Sequence, residues 1–187
     1  MGRSPDPAGP SAEGHTVAQI VEKRVSLGIL PGTMPTLYML CGLPGSGKTV
    51  RAMELEAAGK GILLNADSWV HQLYPGDAEA AARDDRKFLV HQVQWELVEK
   101  LLTDGVSVIL DWGVWSREER NQYRQRAGEL GATVRIIYLD EPIEILHERL
   151  AARNRNLPAG TFSISAAELD EWAAIFEAPT SDELTEQ

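Results

Sequence analysis

The clearest chemistry in the chain lies in one short run. Gly42, Leu43, Pro44, Gly45, Ser46, Gly47, Lys48 and Thr49 complete the pattern G-x-x-x-x-G-K-[S/T]. Glycines at these places let successive backbone N–H groups turn inward on phosphate oxygens, and a following helix N-terminus adds partial positive charge. Lys48 is expected to reach the β- and γ-phosphates of a nucleotide, and Thr49 to offer its hydroxyl to Mg²⁺. ATP and Mg²⁺ are therefore the expected ligands. ATP is the default nucleotide because no base-reading N-K-x-D motif occurs.

Two aspartates could turn nucleotide binding into phosphoryl transfer. Asp67 follows Asn65 at the end of an apolar run and could accept the proton of an attacking hydroxyl as its oxygen bonds to phosphorus. It could equally cap a helix beginning near Ser68. Asp111 ends another apolar run in the manner of a Walker B strand, where a carboxylate holds Mg²⁺-bound water or orients a group across the site; the other reading is a strand-end turn before Gly113. Asp140 is more simply the cap of the next helix. Arg149 and Arg153, spaced i, i+4, would share a helix face from which guanidiniums could clamp transferring phosphates, with Arg155 just beyond. A solvated face paired with Glu148 is the plainer alternative.

These residues need a scaffold that brings them together. A leading helix is expected over residues 16–30, from the spacing of Val17, Ile20, Val21 and Val25. Buried strands are expected at 36–41, 61–67, 106–111 and 133–140, and helices at 48–58, 84–102, 116–130 and 142–154. Ser116 with Glu119 has the capping-box spacing. Strands that are continuous apolar runs alternating with helices imply an α/β, three-layer P-loop NTPase fold, with a mostly parallel sheet flanked by helices. Ligands of such sheets sit at the carboxyl ends of the strands, which here carry residues 42–49, Asp67, Asp111 and Asp140. Residues 149–165 are expected to form a small helical lid with its tip at 157–160, since closure keeps water from the phosphoryl group. Residues 166–176 form an expected closing helix with Leu169, Trp172 and Phe176 on one face.

Length and charge narrow the function classes. The 187 residues, 43% hydrophobic, suit a single domain over 16–187 behind a Pro/Gly/Ser-rich tail at 1–15 expected to be disordered. With 28 acidic residues against 18 basic ones, the formal charge of −10 disfavours a nucleic-acid or membrane partner held by bulk charge. Cys41 is the one cysteine, and His15, His71, His91 and His147 are scattered, so neither a disulfide nor a protein-bound zinc is expected. The first residues contain no apolar run of a signal sequence, and Asp6 stands where a myristoylation motif wants Ser or Thr; a cytoplasmic protein is expected. Trp112 and Trp115 are expected to pack in the core rather than stack on an acceptor. Arg117, Arg120, Arg124 and Arg126, alternating with Glu118 and Glu119, read as a solvated helix face.

The motif GLPGSGKT at 42–49, Asn65-Ala66-Asp67, the strand ending at Asp111 and the segment 146–153 together resemble a family of small P-loop kinases. That family includes the phage polynucleotide 5′-hydroxyl kinase, chloramphenicol phosphotransferase and the zeta toxins. The likeness spans about residues 37–157, and the segment from Leu157 through FEAP at 176–179 is similar to bacterial ATP-binding proteins of the same class. The resemblance implies that Asp67 is the general base, that Arg153 is the lid arginine touching the phosphates, and that Lys48 is part of the catalytic set. The phage enzyme has an acceptor-contacting arginine three residues past its aspartate; Val70 occupies that place here. Together with the acidic charge, this favours a small-molecule or nucleotide hydroxyl over a polynucleotide 5′-hydroxyl as acceptor. No phosphatase signature follows, so a two-activity end-healing enzyme is not expected. A nucleotide-dependent switch or ATPase accessory without a phosphorylated acceptor is the competing class.

Overall fold

The computed structural model describes residues 34–74, 80–157 and 161–184; the tail at 1–15, the expected helix at 16–30 and most of the expected lid tip, 158–160, lie outside them. Along the chain run β1 (Thr36–Cys41), α1 (Lys48–Ala57), β2 (Ile62–Asn65), α2 (Ala66–Leu73), α3 (Ala80–Thr103), β3 (Val108–Asp111), α4 (Arg117–Glu129), β4 (Thr133–Tyr138), α5 (Ile143–Arg155), α6 (Ala166–Ile175) and α7 (Ser181–Leu184). All strand pairs are parallel, in the order β2-β3-β1-β4.

The pleat explains how one short strand serves two layers. On β1, Leu37, Met39 and Cys41 face one side, packing with Leu64 of β2, Val108 and Leu110 of β3, Val70 of α2 and Val98 and Leu102 of α3. Leu40 faces the other, against Ile109 and the Ala52 and Leu55 side of α1. Leu37, Met39 and Leu40 retain no solvent exposure, each contributing about 1.5–3 kcal/mol by apolar burial. A third cluster, Leu146 and Leu150 of α5 with Leu169 of α6, packs on Leu43 and so ties the closing helices to the phosphate-loop segment. As the spacing predicts, Leu169, Trp172 and Phe176 all turn inward: Trp172 packs edge-on against Trp115, and Phe176 stacks on Tyr138.

The structure departs from the sequence reading in several places. β2 ends at Asn65, so Asp67 is not a strand-end residue but stands in the first turn of α2, and the helix cap is Asn65, whose Oδ1 accepts from Ser68 N at 2.7 Å. An amide two bonds from the backbone reaches the free N–H groups that Asp67, already inside the turn, does not serve. Asp140 caps nothing; it accepts from the Tyr138 hydroxyl, and Pro142 is the residue before α5. Ser116 caps α4, but Glu119 reaches back to Trp115 N rather than to the cap residue, so half of the expected box forms. The solvated-face reading fails at Arg120, which has no exposure and is paired with Glu183 of α7 at 2.7 Å. The acidic turn near the chain's end folds back over α4 and encloses that guanidinium, which also donates to Glu177 O.

Candidate active site

The loop between β1 and α1 is shaped by backbone that only glycine takes easily. Gly42 and Gly47 have φ of 144° and 98°, and a Cβ at Gly42 would stand 2.7 Å from Leu139 O. Lys48 curls over this loop, donating to Gly42 O at 2.8 Å and Leu43 O at 2.9 Å. Burial pulls its ammonium down to about 8, although Asp111 opposes the shift. Ser46 Oγ is buried without a hydrogen-bond partner. The inward carbonyls, an ammonium ready to exchange them for an anion, and that orphan hydroxyl fit an incoming polyphosphate.

Beside the loop, Asp111 Oδ2 accepts from Thr49 Oγ1 at 2.7 Å and from Asn65 Nδ2 at 2.6 Å. The β2–β3 register sets this up, because Asn65 lies opposite Asp111 on the adjacent strand. Among the described residues no group of three or more His, Cys, Asp and Glu could hold a metal ion. Mg²⁺ takes one or two protein oxygens and fills its shell with phosphates and water. Thr49 and Asp111 are the oxygens that fit.

Asp67 stands apart from that pair. Its Oδ1 lies 2.8 Å from Lys87 Nζ of α3, and its side chain keeps 44% exposure. Desolvation in the cleft pushes its carboxyl up, but the charge and hydrogen bond of Lys87, with His91 and Lys48 behind, outweigh it and hold the group below the usual range. His91, one helical turn past Lys87, stacks on Trp112 at 4.4 Å, and its Nε2 has no partner. Burial, then the Lys87 charge, drives its imidazole down to about 4, so the ring is neutral at pH 7. Trp112 is in the core as expected, its indole donating to Gln94 Oε1 at 2.6 Å, while Gln94 Nε2 reaches Asn65 O.

The two arginines of α5 do not converge as one clamp. Arg149 donates to Gly45 O of the loop and to Glu141. Arg153 turns the other way, donating to Phe162 O, with its Nε buried and unpartnered. Burial pulls its guanidinium below the ordinary range, and Asp67 is the charge that opposes this. The geometry thus brings Lys48, Thr49 and Asp111 together, and places Asp67, Lys87, His91 and Arg153 as a second group. Lys87 and His91 were missed from the sequence, where they fall in a charged helical stretch with no motif. Their only sequence signal is the i, i+4 spacing on one face.

A phosphate loop after the first strand, a carboxylate on the neighbouring parallel strand and flanking helices define a P-loop NTPase with the fold of small kinases. The chain belongs to the AAA domain family (AAA_33), whose model matches residues 37–179. Among solved structures, a putative kinase from Chloroflexus aurantiacus J-10-fl is similar at 17% identity and TM-score 0.64, over 79% of this chain and 80% of that one. A gluconokinase from Sinorhizobium meliloti 1021 is similar at 18% identity and TM-score 0.54, over 81% of each chain. The Pnkp1/Rnl/Hen1 RNA repair complex matches at 20% identity and TM-score 0.58 over 79% of this chain, which spans about half (49%) of that one. No curated protein matches the sequence. Among the described residues no helix is long and apolar enough to cross a membrane.

Proposed function

We propose that the protein is an ATP-dependent phosphotransferase that moves the γ-phosphoryl group to a hydroxyl of a small molecule or nucleotide, with Asp67 as general base. The observation that carries this reading is the division of labour between two carboxylates. Asp111 is bound to the loop threonine, whereas Asp67 is free of that network, ionised and half-exposed to the cleft. A nucleotide switch needs the first carboxylate only; a kinase needs a second, facing the acceptor.

In this reading the loop amides and Lys48 hold the β- and γ-phosphates, Lys48 releasing the carbonyls of Gly42 and Leu43 as it turns to them. Thr49 and Asp111 would hold Mg²⁺, which when bound would draw charge off the phosphate oxygens. The acceptor oxygen bonds to the γ-phosphorus as the bond to the ADP leaving oxygen breaks, and its proton passes to Asp67. Arg153 swings from Phe162 O to reach the transferring group, and Arg149 steadies the loop at Gly45. Residues 16–187 form the single catalytic unit, with 149–165 as its lid.

The test is transfer of labelled γ-phosphate from ATP to a panel of nucleosides, sugar acids, hydroxylated antibiotics and 5′-hydroxyl oligonucleotides, with Asp67→Asn as control. A labelled product that is lost in Asp67→Asn is expected. Slow hydrolysis with no labelled acceptor, unchanged in Asp67→Asn, would reject the kinase reading in favour of the switch.

A further inference from the structure

The ion pair between Lys87 and Asp67 poses a chemical problem for a catalytic base. A carboxylate can take a hydroxyl's proton only if it hydrogen-bonds that hydroxyl, yet an ammonium lies 2.8 Å from Asp67 Oδ1 and lowers its basicity. Oδ2 is left to accept the hydroxyl, but the carboxylate becomes a stronger base, with both oxygens available, once Lys87 has another anion to hold. The nucleotide is an unsuitable one, because its terminal phosphates are already served by the loop amides and Lys48, and by a metal at Thr49 and Asp111. The remaining candidate is the acceptor itself.

Other features on the same side point to a ligand there. His91 Nε2 and Arg153 Nε are both buried and unpartnered, a costly condition that an incoming polar group relieves. They flank the pair from two sides. His91 is one turn along α3 from Lys87 and rests on Trp112, while Arg153 is fixed to Phe162, whose ring packs edge-on to His71 of α2. Lys87, Arg153 and neutral His91 face a single carboxylate, so the pocket has a surplus of positive charge.

We propose that Lys87, backed by Arg153 and His91, forms an anion subsite, and that the acceptor is a hydroxyl compound carrying its own phosphate or carboxylate. The acceptor's anion draws Lys87 off Asp67 and frees the carboxylate for the hydroxyl, so that the base is released only when the correct substrate arrives. The proposal rests on the reading of Asp67 as base.

The experiment measures binding of inorganic phosphate, and separately of acetate, by calorimetry at low ionic strength. The full chain is first saturated with Mg²⁺ and a non-hydrolysable ATP analogue, so that the nucleotide site is filled. Phosphate or acetate should bind the wild type; Lys87→Met should weaken this about tenfold or more, Lys87→Arg should restore most of it, and affinity for the analogue should not change. Asp67→Asn removes the competing carboxylate and should tighten anion binding severalfold. Neither anion binding to the wild type, equal binding to Lys87→Met, or a loss of analogue affinity in Lys87→Met would overturn the subsite. None of these readouts involves transfer, so the subsite can fail while labelled acceptor still forms, and can stand where it does not.

Discussion

The two halves of the cleft are built by different means. On the nucleotide side backbone does much of the positioning: loop carbonyls hold Lys48, one strand register sets Asn65 beside Asp111, and the first turn of α1 brings the Thr49 hydroxyl to the same carboxylate. On the proposed acceptor side the main chain fixes less. Asp67, Lys87, His91 and Arg153 come from three helices and are arranged by one ion pair, one stack and the hydrogen bond of Arg153 to Phe162 O. A triphosphate is the same ligand in every P-loop protein and rewards a rigid cradle, whereas side chains on separate helices can be exchanged to suit a different acceptor.

The sharpest way to separate the halves is Asp67→Asn. Transfer should fall about 10²–10⁴-fold while ATP affinity holds, measured by single-turnover label transfer and nucleotide titration. Equal loss in both would mean that the halves are not independent. The contact between α4 and α7 is tested by Arg120→Met, which leaves the nearly enclosed Glu183 carboxylate without its buried guanidinium and with Thr180 as its remaining hydrogen-bond donor, and should cost about 3 kcal/mol in denaturant unfolding. Hydrogen bonding from Arg120, against the opposing effect of desolvation, holds Glu183 below its usual 4.5. That contribution is therefore complete above pH 4.5 and is lost as pH falls through the lower folded value; Glu183→Gln should flatten this acid limb of the stability curve.

A smaller effect is expected at Gly42→Ala, where the positive φ and the approach of Leu139 O should cost about 2 kcal/mol, read as weaker ATP binding with little change in anion binding at Lys87. Smallest is a pH effect on the nucleotide side. Phosphates bind the Lys48 ammonium, whose burial brings it to about 8 in the free protein, so ATP affinity should be level below pH 8 and decline above it. Lys48→Arg should shift that decline upward.

This division also explains what could be read from the sequence. The loop motif is contiguous, and the strands appear as apolar runs, so the nucleotide side and the parallel sheet follow from residues close in sequence. Asp67 was legible as a residue, but its place in a helix turn was not, because Asn65 and Asp67 compete for the cap and only the strand end decides between them. Lys87 lies 20 residues further on in a stretch of mixed charge, and nothing local indicates that its partner is across an interhelical cleft. Arg120 looked solvated for the same reason: Glu183, 63 residues away, reads as part of an acidic surface until the chain folds back over α4.

The most direct measurement of the central claim is a crystal structure of the full chain with Mg²⁺ and a non-hydrolysable ATP analogue. The account predicts Mg²⁺ beside Thr49 and Asp111, and the Asp67 carboxylate open to the cleft on the side of the γ-phosphate away from ADP. An Asp67 carboxylate turned from the terminal phosphate, or bound to the metal in place of Asp111, would contradict it.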